Sequence, residues 1–448
     1  MNKLAAIIIV VVLVVVIVVA CILTNLPSIK QATNKHGITT GCLTLTTPNT
    51  NKNKKIVSHR VTLTTTHSRE LQLVNKPDLN GISTAAYNAS TLDCDGTIIY
   101  CFRVSSFTRC PLSTSEYYYK NTPSELSSTT VLQYNNTATK STSEVVLDIP
   151  LPSTQSITLS DKKLEYVPGY EDARIVLYRD HIILLANARS DETLGKSGMY
   201  LIHVCHKKKL NMLKNGHKCR VVRLVASITN KVERESYDEK NWSPLVYRYI
   251  RQRFNCVRPE GEEPEREYDE LYLVYSISPT IVLKVPEMNL ENLNGPLNPI
   301  QHNCRDSGDV LQCHVIPSTS WNMHSIDADS HVLLPDGNTR SLRQLRGGTQ
   351  LIPGKYSTYV GIGHFRSDNQ QYYSVPYLLN KDPPFQLLAV GKPTKLQEDA
   401  IEYPCGLRRD KDGLVVTFGV NDCSAHEASI RVDYKSPLPT HPNYGTSV

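Results

Sequence analysis

The sequence predicts an all-β head of the β-propeller type, carried on one N-terminal transmembrane helix and a polar stalk. Three observations lead there. Leu4–Leu23 is an unbroken run of apolar residues, while no second run of that length follows. From Thr97 onward the recurring element is a short β-branched or aromatic run bounded by Gly, Pro, Asp or Asn, which reads as a strand. Tyr outnumbers Phe 24 to 6, which suits half-buried strands and polar, ring-lined clefts better than a helical bundle.

The apolar run comes first. Its 20 residues, at about 1.5 Å each, match a hydrocarbon core of about 30 Å. Lys3 and the amino terminus precede it, so the charge bias favours a cytoplasmic tip and a type II signal anchor over residues 1–23. A cleaved signal peptide or lipidation at Cys21 is the rival reading, and both rivals also export the chain. The expected location is the secretory lumen, Golgi or endoplasmic reticulum, or the cell exterior.

Residues 24–75 are rich in Thr, Asn, Lys and Ser without periodicity, and are expected to be a stalk. The head is expected over 76–435, with a polar surface insertion at about 112–145 and a tail over 436–448. Asn135, in Asn135-Asn136-Thr137, is a glycosylation acceptor by sequence. Strand runs include 97–102, 175–178, 182–185, 271–275, 357–362 and 414–418, with hairpin turns expected at Arg179-Asp180 and Asp412-Gly413. Strand pairs recur at intervals of roughly 40–90 residues, as in a propeller whose blades carry insertions. A two-sheet sandwich is the alternative, but it closes in about 100 residues.

The net charge of +6 over 448 residues is too dilute for a nucleic-acid surface. Of the 12 cysteines, Cys94/Cys101, Cys205/Cys219 and Cys304/Cys313 form close pairs, which suggests hairpin-closing disulfides. None of these has CxxC spacing, so zinc and thioredoxin-like readings are weak. No cofactor or metal is indicated: there is no HExxH, and Asp327-Ala328-Asp329 follows no apolar strand.

The residues able to carry chemistry sit at strand ends. Gly169-Tyr170-Glu171-Asp172-Ala173-Arg174 puts two carboxylates and a guanidinium at one strand mouth. A carboxyl beside another carboxylate can hold a proton and serve as a general acid. The plain alternative is a turn with a local ion pair. Glu239-Lys240-Asn241-Trp242-Ser243-Pro244 offers donors to hydroxyls or phosphate and an indole face for a sugar ring. A buried structural Trp is the plain alternative. Arg346-Gly347-Gly348-Thr349 would allow close backbone approach to a ligand, or merely turn the chain. His364 ends a strand, where a satisfied structural His is the commoner case. Asn421-Asp422 closes the last strong strand, where capping a turn is the bland explanation.

Taken together and in order, these pieces resemble the five-bladed β-propeller enzymes acting on β-mannosides: mannoside phosphorylases with related hydrolases and mannosyltransferases. The matching segments are 86–90 leading to Cys101-Phe102-Arg103, 169–174, 239–244 with 272–279, 346–349 with Gly363-His364, and Gly406-Leu407 with 418–423. The family's Glu-Asp-Pro-Arg motif stands here as Glu171-Asp172-Ala173-Arg174. The resemblance implies Asp172 as the proton donor to the glycosidic oxygen, with inversion. It implies Arg103, Glu171, Arg174, Lys240, Asn241, Trp242, Gly348, Thr349, His364, Asn421 and Asp422 as sugar or substrate contacts. Asn88, in the first motif, would then face the pocket and not carry a glycan.

One departure stands out. Phosphorylases of the family hold phosphate with a Lys and then a His-Arg pair on the following strand. Lys240 matches the first, but Leu273–Ile277 contains neither His nor Arg, which argues against phosphorolysis. The expectation is therefore a membrane-anchored glycosyltransferase or glycosidase-like enzyme acting on mannose-type or related sugars. Its partners would be a glycan, as sugar donor or acceptor, and the membrane, with no nucleic acid. The alternative is a non-enzymatic glycan-binding or attachment glycoprotein of the same layout.

Overall fold

The computed structural model describes residues 61–75, 77, 84–106, 128–136, 139–151, 169–189, 197–227, 241–250, 267–290, 310–316, 330–369, 371–397, 401–411 and 413–434. All belong to the compact unit Asn53–Val448. The expected membrane helix, the tail 436–448, Lys240 and Asp327–Asp329 lie outside the described residues. Among the described residues no helix is long and apolar enough to cross a membrane.

The unit is all-β, built from antiparallel groups. It opens with β1 (Val61–Leu71). The first group is β2 (Ala85–Cys94), β3 (Thr97–Ser105), β4 (Ser128–Asn136) and β5 (Ser141–Asp148). The second is β6 (Glu171–Tyr178), β7 (His181–Arg189) and β8 (Ser197–His206), completed beyond the two-residue β9 (His217–Lys218) by β10 (Arg220–Ser227). β9 itself pairs in parallel with β5 of the first group. The third is β11 (Ser243–Ile250), β12 (Glu267–Ser276), β13 (Ile281–Lys284) and β14 (Val310–Val315). β14 runs antiparallel to β13 and parallel to β10, so the second and third groups share a sheet. A small pair, β15 (His331–Leu333) and β16 (Thr339–Ser341), precedes the fourth group. That group is β17 (Ile352–Pro353), β18 (Thr358–Arg366), β19 (Tyr372–Asn380) and β20 (Leu387–Val390). The fifth is β21 (Glu402–Asp410), β22 (Gly413–Val420) and β23 (Ser424–Tyr434), with β1 as its outer strand.

The local sequence explains the turns. Asp95-Gly96 and Arg179-Asp180 join paired strands with φ of 50° and 79°, and of 50° and 61°, as two-residue hairpin turns require. Strands between two neighbours read as continuous apolar runs because both faces are covered. Ile182-Ile183-Leu184-Leu185 of β7 is buried at every position. Burying each such side chain contributes about 1.5–3 kcal/mol.

Apolar clusters fill the spaces between consecutive groups. Ile99 and Leu132 meet Ile182 and Ile202; Leu185 and Leu224 meet Trp242 and Leu273. Leu245 and Tyr272 meet Tyr359 and Phe385; Val360 and Leu378 meet Leu407 and Phe418. A last cluster returns from Leu71 and Ala425 to Ala89, Phe102 and Val131 of the first group. Gln350 adds a polar tie. Its Nε2 donates to Thr91 O (2.6 Å) and Leu407 O (2.7 Å), and its Oε1 accepts from Leu407 N at 3.2 Å.

Several expectations are corrected. The end of the expected stalk is a strand: β1 pairs along its length with β23, from Val61↔Tyr434 to Leu71↔Ala425. Its Thr-rich sequence suits an outer strand, exposed at most positions. The expected insertion supplies β4 and most of β5: the polar residues of Ser128–Asn136 sit in a strand that pairs with β3 and β5 and is buried over its middle five positions. Asn135 lies within β4, opposite Ile98 and Thr142, with its Oδ1 buried.

The disulfide pairs also fail. Cys94, Cys101, Cys205, Cys219, Cys313 and Cys405 are free thiols. Cys101 lies opposite Ser90 and Cys94 opposite Thr97. That offset of four residues is about 14 Å along the strand, beyond the roughly 7 Å reach of a disulfide. Burial pushes the Cys205 and Cys219 thiols up to about 12, which disfavours their thiolates.

Candidate functional site

A short signature lies at or just before each group's first strand. Tyr87-Asn88-Ala89-Ser90, Glu171-Asp172-Ala173-Arg174, Asn241-Trp242-Ser243, Gly347-Gly348-Thr349 and Tyr403-Pro404-Cys405-Gly406 occupy these places. Register shifts fall between Tyr87 and Ser90, Glu171 and Arg174, and Pro404 and Gly406. Asn88, Asp172 and Asn241 have φ of 48°, 50° and 66°, in the left-handed region that Asn and Asp tolerate best. A bulge of this kind re-aims a side chain out of the regular alternation. Here it draws side chains of different groups together.

Asp172 is the meeting point of the first two groups. Asn88 Nδ2 donates to its Oδ1 at 2.7 Å, and Arg103 stands 3.8 Å from the same oxygen. Among the described residues Oδ2 has no partner, and the side chain keeps 17% exposure. Arg103 donates to Glu171 Oε1 at 2.8 Å, while Asn187 Nδ2 donates to Glu171 Oε2 at 3.2 Å. The Arg103 guanidinium lies 5.4 Å from the Tyr87 ring centroid. Burial opposes its charge, but Glu171, Tyr87, Asp172 and Asp422 outweigh burial and hold its pKa above the ordinary value. Arg103, Glu171, Asp172 and Asp422 thus share one electrostatic neighbourhood. It offers hydroxyl donors and acceptors, a cation and an uncommitted carboxylate oxygen.

Arg174 lies behind that cluster and is wholly buried. Nε donates to Gly348 O at 2.7 Å, and one terminal nitrogen to Asp172 O at 2.9 Å. The other donates to Tyr403 OH at 2.6 Å and Asn241 Oδ1 at 3.3 Å. Tyr403 OH also donates to Asn241 Oδ1. The His364 ring packs edge-on to Tyr403, with centroids 4.9 Å apart, and lies 5.3 Å from Tyr372.

Several expected sugar contacts prove to be structural. Arg174 spends its donors on protein acceptors. Trp242 is buried in the core and packs on Tyr275 at 5.4 Å, so its face is not offered to a ring. Thr349 is buried, with Oγ1 accepting from Ile362 N at 3.1 Å. Gly348 leaves no room for a Cβ between Ile362 O and Pro404, and its carbonyl serves Arg174. Asn421 caps a turn: its N donates to Ile401 O and its Oδ1 accepts from Ile401 N, both at 2.8 Å. His364 is buried beside Tyr403. Asn241 joins the Arg174 network and not the Asp172 carboxylate.

Asn187 and Tyr403 were not foreseen. Tyr403 occupies the position in the fifth signature that Tyr87 holds in the first, so aligning the strand starts would have flagged it. Asn187 is found only through its register opposite Glu171. Among the described residues no group of His, Cys, Asp and Glu could hold a metal ion.

No family model matches the chain, and no curated protein matches it. Solved structures do resemble it. A glycosyl hydrolase from Bacteroides ovatus shares 10% identity over 84% of this chain and 97% of its own, with a TM-score of 0.45. A structure from the mannoside phosphorylase family, whose glycoside hydrolases target β-1,2-mannosidic linkages in Candida mannan, shares 11% over 87% of this chain and 100% of its own, at 0.44. A β-1,2-mannobiose phosphorylase from Listeria innocua shares 13% over 81% and 93%, at 0.38.

Proposed function

We propose that this chain is a carbohydrate-active enzyme, glycosidase-like, acting on mannose-type or related glycosides with inversion, and that Asp172 is its general acid. The groups of strands are read as the blades of a five-bladed propeller. The five apolar clusters that run between consecutive groups and return to the first support that reading. Leu4–Leu23 is proposed to anchor the head as a type II membrane protein facing an exported compartment.

The observation that carries the reading is the open oxygen of Asp172. Asn88 donates to Oδ1. A proton on the acid therefore belongs on Oδ2, the oxygen free to meet a glycosidic oxygen. Glu171, Arg103 and Asp422 surround it with groups that bind sugar hydroxyls. Inversion needs the acid on one face of the sugar and the attacking water or hydroxyl on the other. With neither His nor Arg in Leu273–Ile277, the attacking group is read as water or a sugar hydroxyl and not phosphate.

The test is sugar release from β-mannobiose and p-nitrophenyl β-mannoside by the full chain, with and without phosphate. Cleavage should not depend on phosphate. Asp172→Asn should lower turnover by about 10²–10⁴-fold while the melting temperature holds. Wild-type turnover in that variant would refute the assignment. Glycan binding without any product would move the protein to the attachment reading.

A further inference from the structure

We infer that Arg174 is a positioning residue, an internal brace that fixes the backbone of Asp172 and so aims its carboxylate. The inference rests on the role proposed above for Asp172. It assigns Arg174 a part different from the sugar contact that its place in the motif suggests.

The geometry comes in three parts. First, Arg174 has no access to a ligand: it is wholly buried, and its four hydrogen bonds all go to protein acceptors. Second, those acceptors belong to different groups of strands. Gly348 precedes β17, Asn241 precedes β11, Tyr403 lies on β21, and Asp172 lies on β6 beside Arg174 itself. One planar fork therefore ties four groups at a single point, which an ammonium with its point charge cannot reproduce. Third, one bond ends on the carbonyl of Asp172, whose φ is 50°. A left-handed non-glycine residue costs about 1–3 kcal/mol and persists only where its surroundings impose it. The bond from Arg174 to the carbonyl and the bond from Asn88 to Oδ1, with Arg103 3.8 Å from the same oxygen, hold it here.

Tyr403 completes the brace. Its hydroxyl accepts from Arg174 and donates to Asn241, and the guanidinium lies 5.8 Å from its ring centroid. Gly348 is needed in the same place, because a Cβ there would meet Ile362 O and Pro404 and push its carbonyl off Arg174.

The experiment compares full-length wild type with Arg174→Lys and Tyr403→Phe, by crystallography and by turnover of p-nitrophenyl β-mannoside. In Arg174→Lys, Asp172 should leave the left-handed region and the Asn88–Asp172 bond should open. kcat should fall about 10²-fold, the cost of roughly 1 Å of misplacement, with KM within about threefold. A sugar contact would instead raise KM. A brace for the fold alone would lower the melting temperature and leave kcat per folded molecule intact. Tyr403→Phe keeps the cation and the ring, and should show the same pattern in weaker form. It decides the matter if Arg174→Lys does not fold. A variant structure with Asp172 still near 50° and bonded to Asn88 overturns the inference. If the wild type cleaves no glycoside, the proposed function fails, while the structural comparison still decides the brace.

Discussion

At the scale of single residues, burial divides the carboxylates of the proposed site from the Trp that the sequence offered as a sugar contact. Asp172 and Glu171 keep partial exposure, whereas Trp242 has almost none. Trp242→Ala should therefore cost about 3–5 kcal/mol of stability, the usual loss for a buried Trp, and leave sugar affinity unchanged in the folded fraction. Chemical denaturation beside a mannoside titration checks both parts, and weakened binding with intact stability would return Trp242 to the site. Asn88 makes the opposite case. A Cβ on Gly419 would overlap Asn88 Oδ1, so Gly419→Ala should displace Asn88 and cut turnover, as Asn88→Ala should. Comparing the two variants' kcat values tests this; Gly419→Ala with wild-type kcat would count against it. The sequence exposed Asp172, Glu171 and Arg103 because carboxylates and a guanidinium at strand ends are conspicuous. It could not tell the roles of the two arginines apart. Arg103 and Arg174 are both buried cations, and only their partners, Glu171 for one and carbonyls and hydroxyls for the other, set them apart.

Among elements, legibility followed burial on two faces. Inner strands such as β7 announce themselves as unbroken apolar runs. Outer strands do not, because one face and one edge meet water. For that reason β1 passed as stalk; β4, paired on both sides, passed with β5 as an insertion because Ser, Thr, Gln and Asn interrupt its apolar run. The distinction has a direct consequence. A chain starting at residue 60 keeps β1 and should fold with an unchanged melting temperature. One starting at residue 76 loses the strand that covers β23 and the buried Val61 and Leu71. Its exposed sheet edge should leave it aggregation-prone and less stable by several degrees. Light scattering and thermal melts of the two truncations measure this. Equal behaviour would make the strand dispensable, as a stalk would be.

At the scale of the whole molecule, two buried titratable groups act on how stability depends on pH with opposite signs. His203 bonds to His181 at 2.9 Å and Arg220 at 3.1 Å. Burial, then Arg220 and His181, lower its pKa from 6.5 to about 3. Between those values the unfolded chain binds the extra proton, so the stabilisation is complete above 6.5 and is lost as pH falls. Glu402 accepts from Ser374 Oγ at 3.0 Å, Leu396 N at 2.6 Å and Gln397 N at 2.8 Å. Burial outweighs these donors and raises its pKa from 4.5 to about 7. Here the folded state keeps a proton that the unfolded chain has released. This stabilisation is complete below 4.5 and is lost as pH rises to about 7. The two slopes oppose each other between 4.5 and 6.5, which weakens the pH dependence of the wild type's melting temperature there. Glu402→Gln keeps an acceptor oxygen for Leu396 N and Gln397 N, turns its amide N–H toward the Ser374 hydroxyl, which can accept instead, and cannot ionise. In that variant Glu402 no longer opposes the His203 slope, so the melting temperature should climb more steeply from pH 4.5 to 6.5 than in the wild type. Thermal melts of both proteins from pH 4 to 8 give the comparison; parallel curves would mean that Glu402 ionises in the folded protein as it does in the unfolded chain.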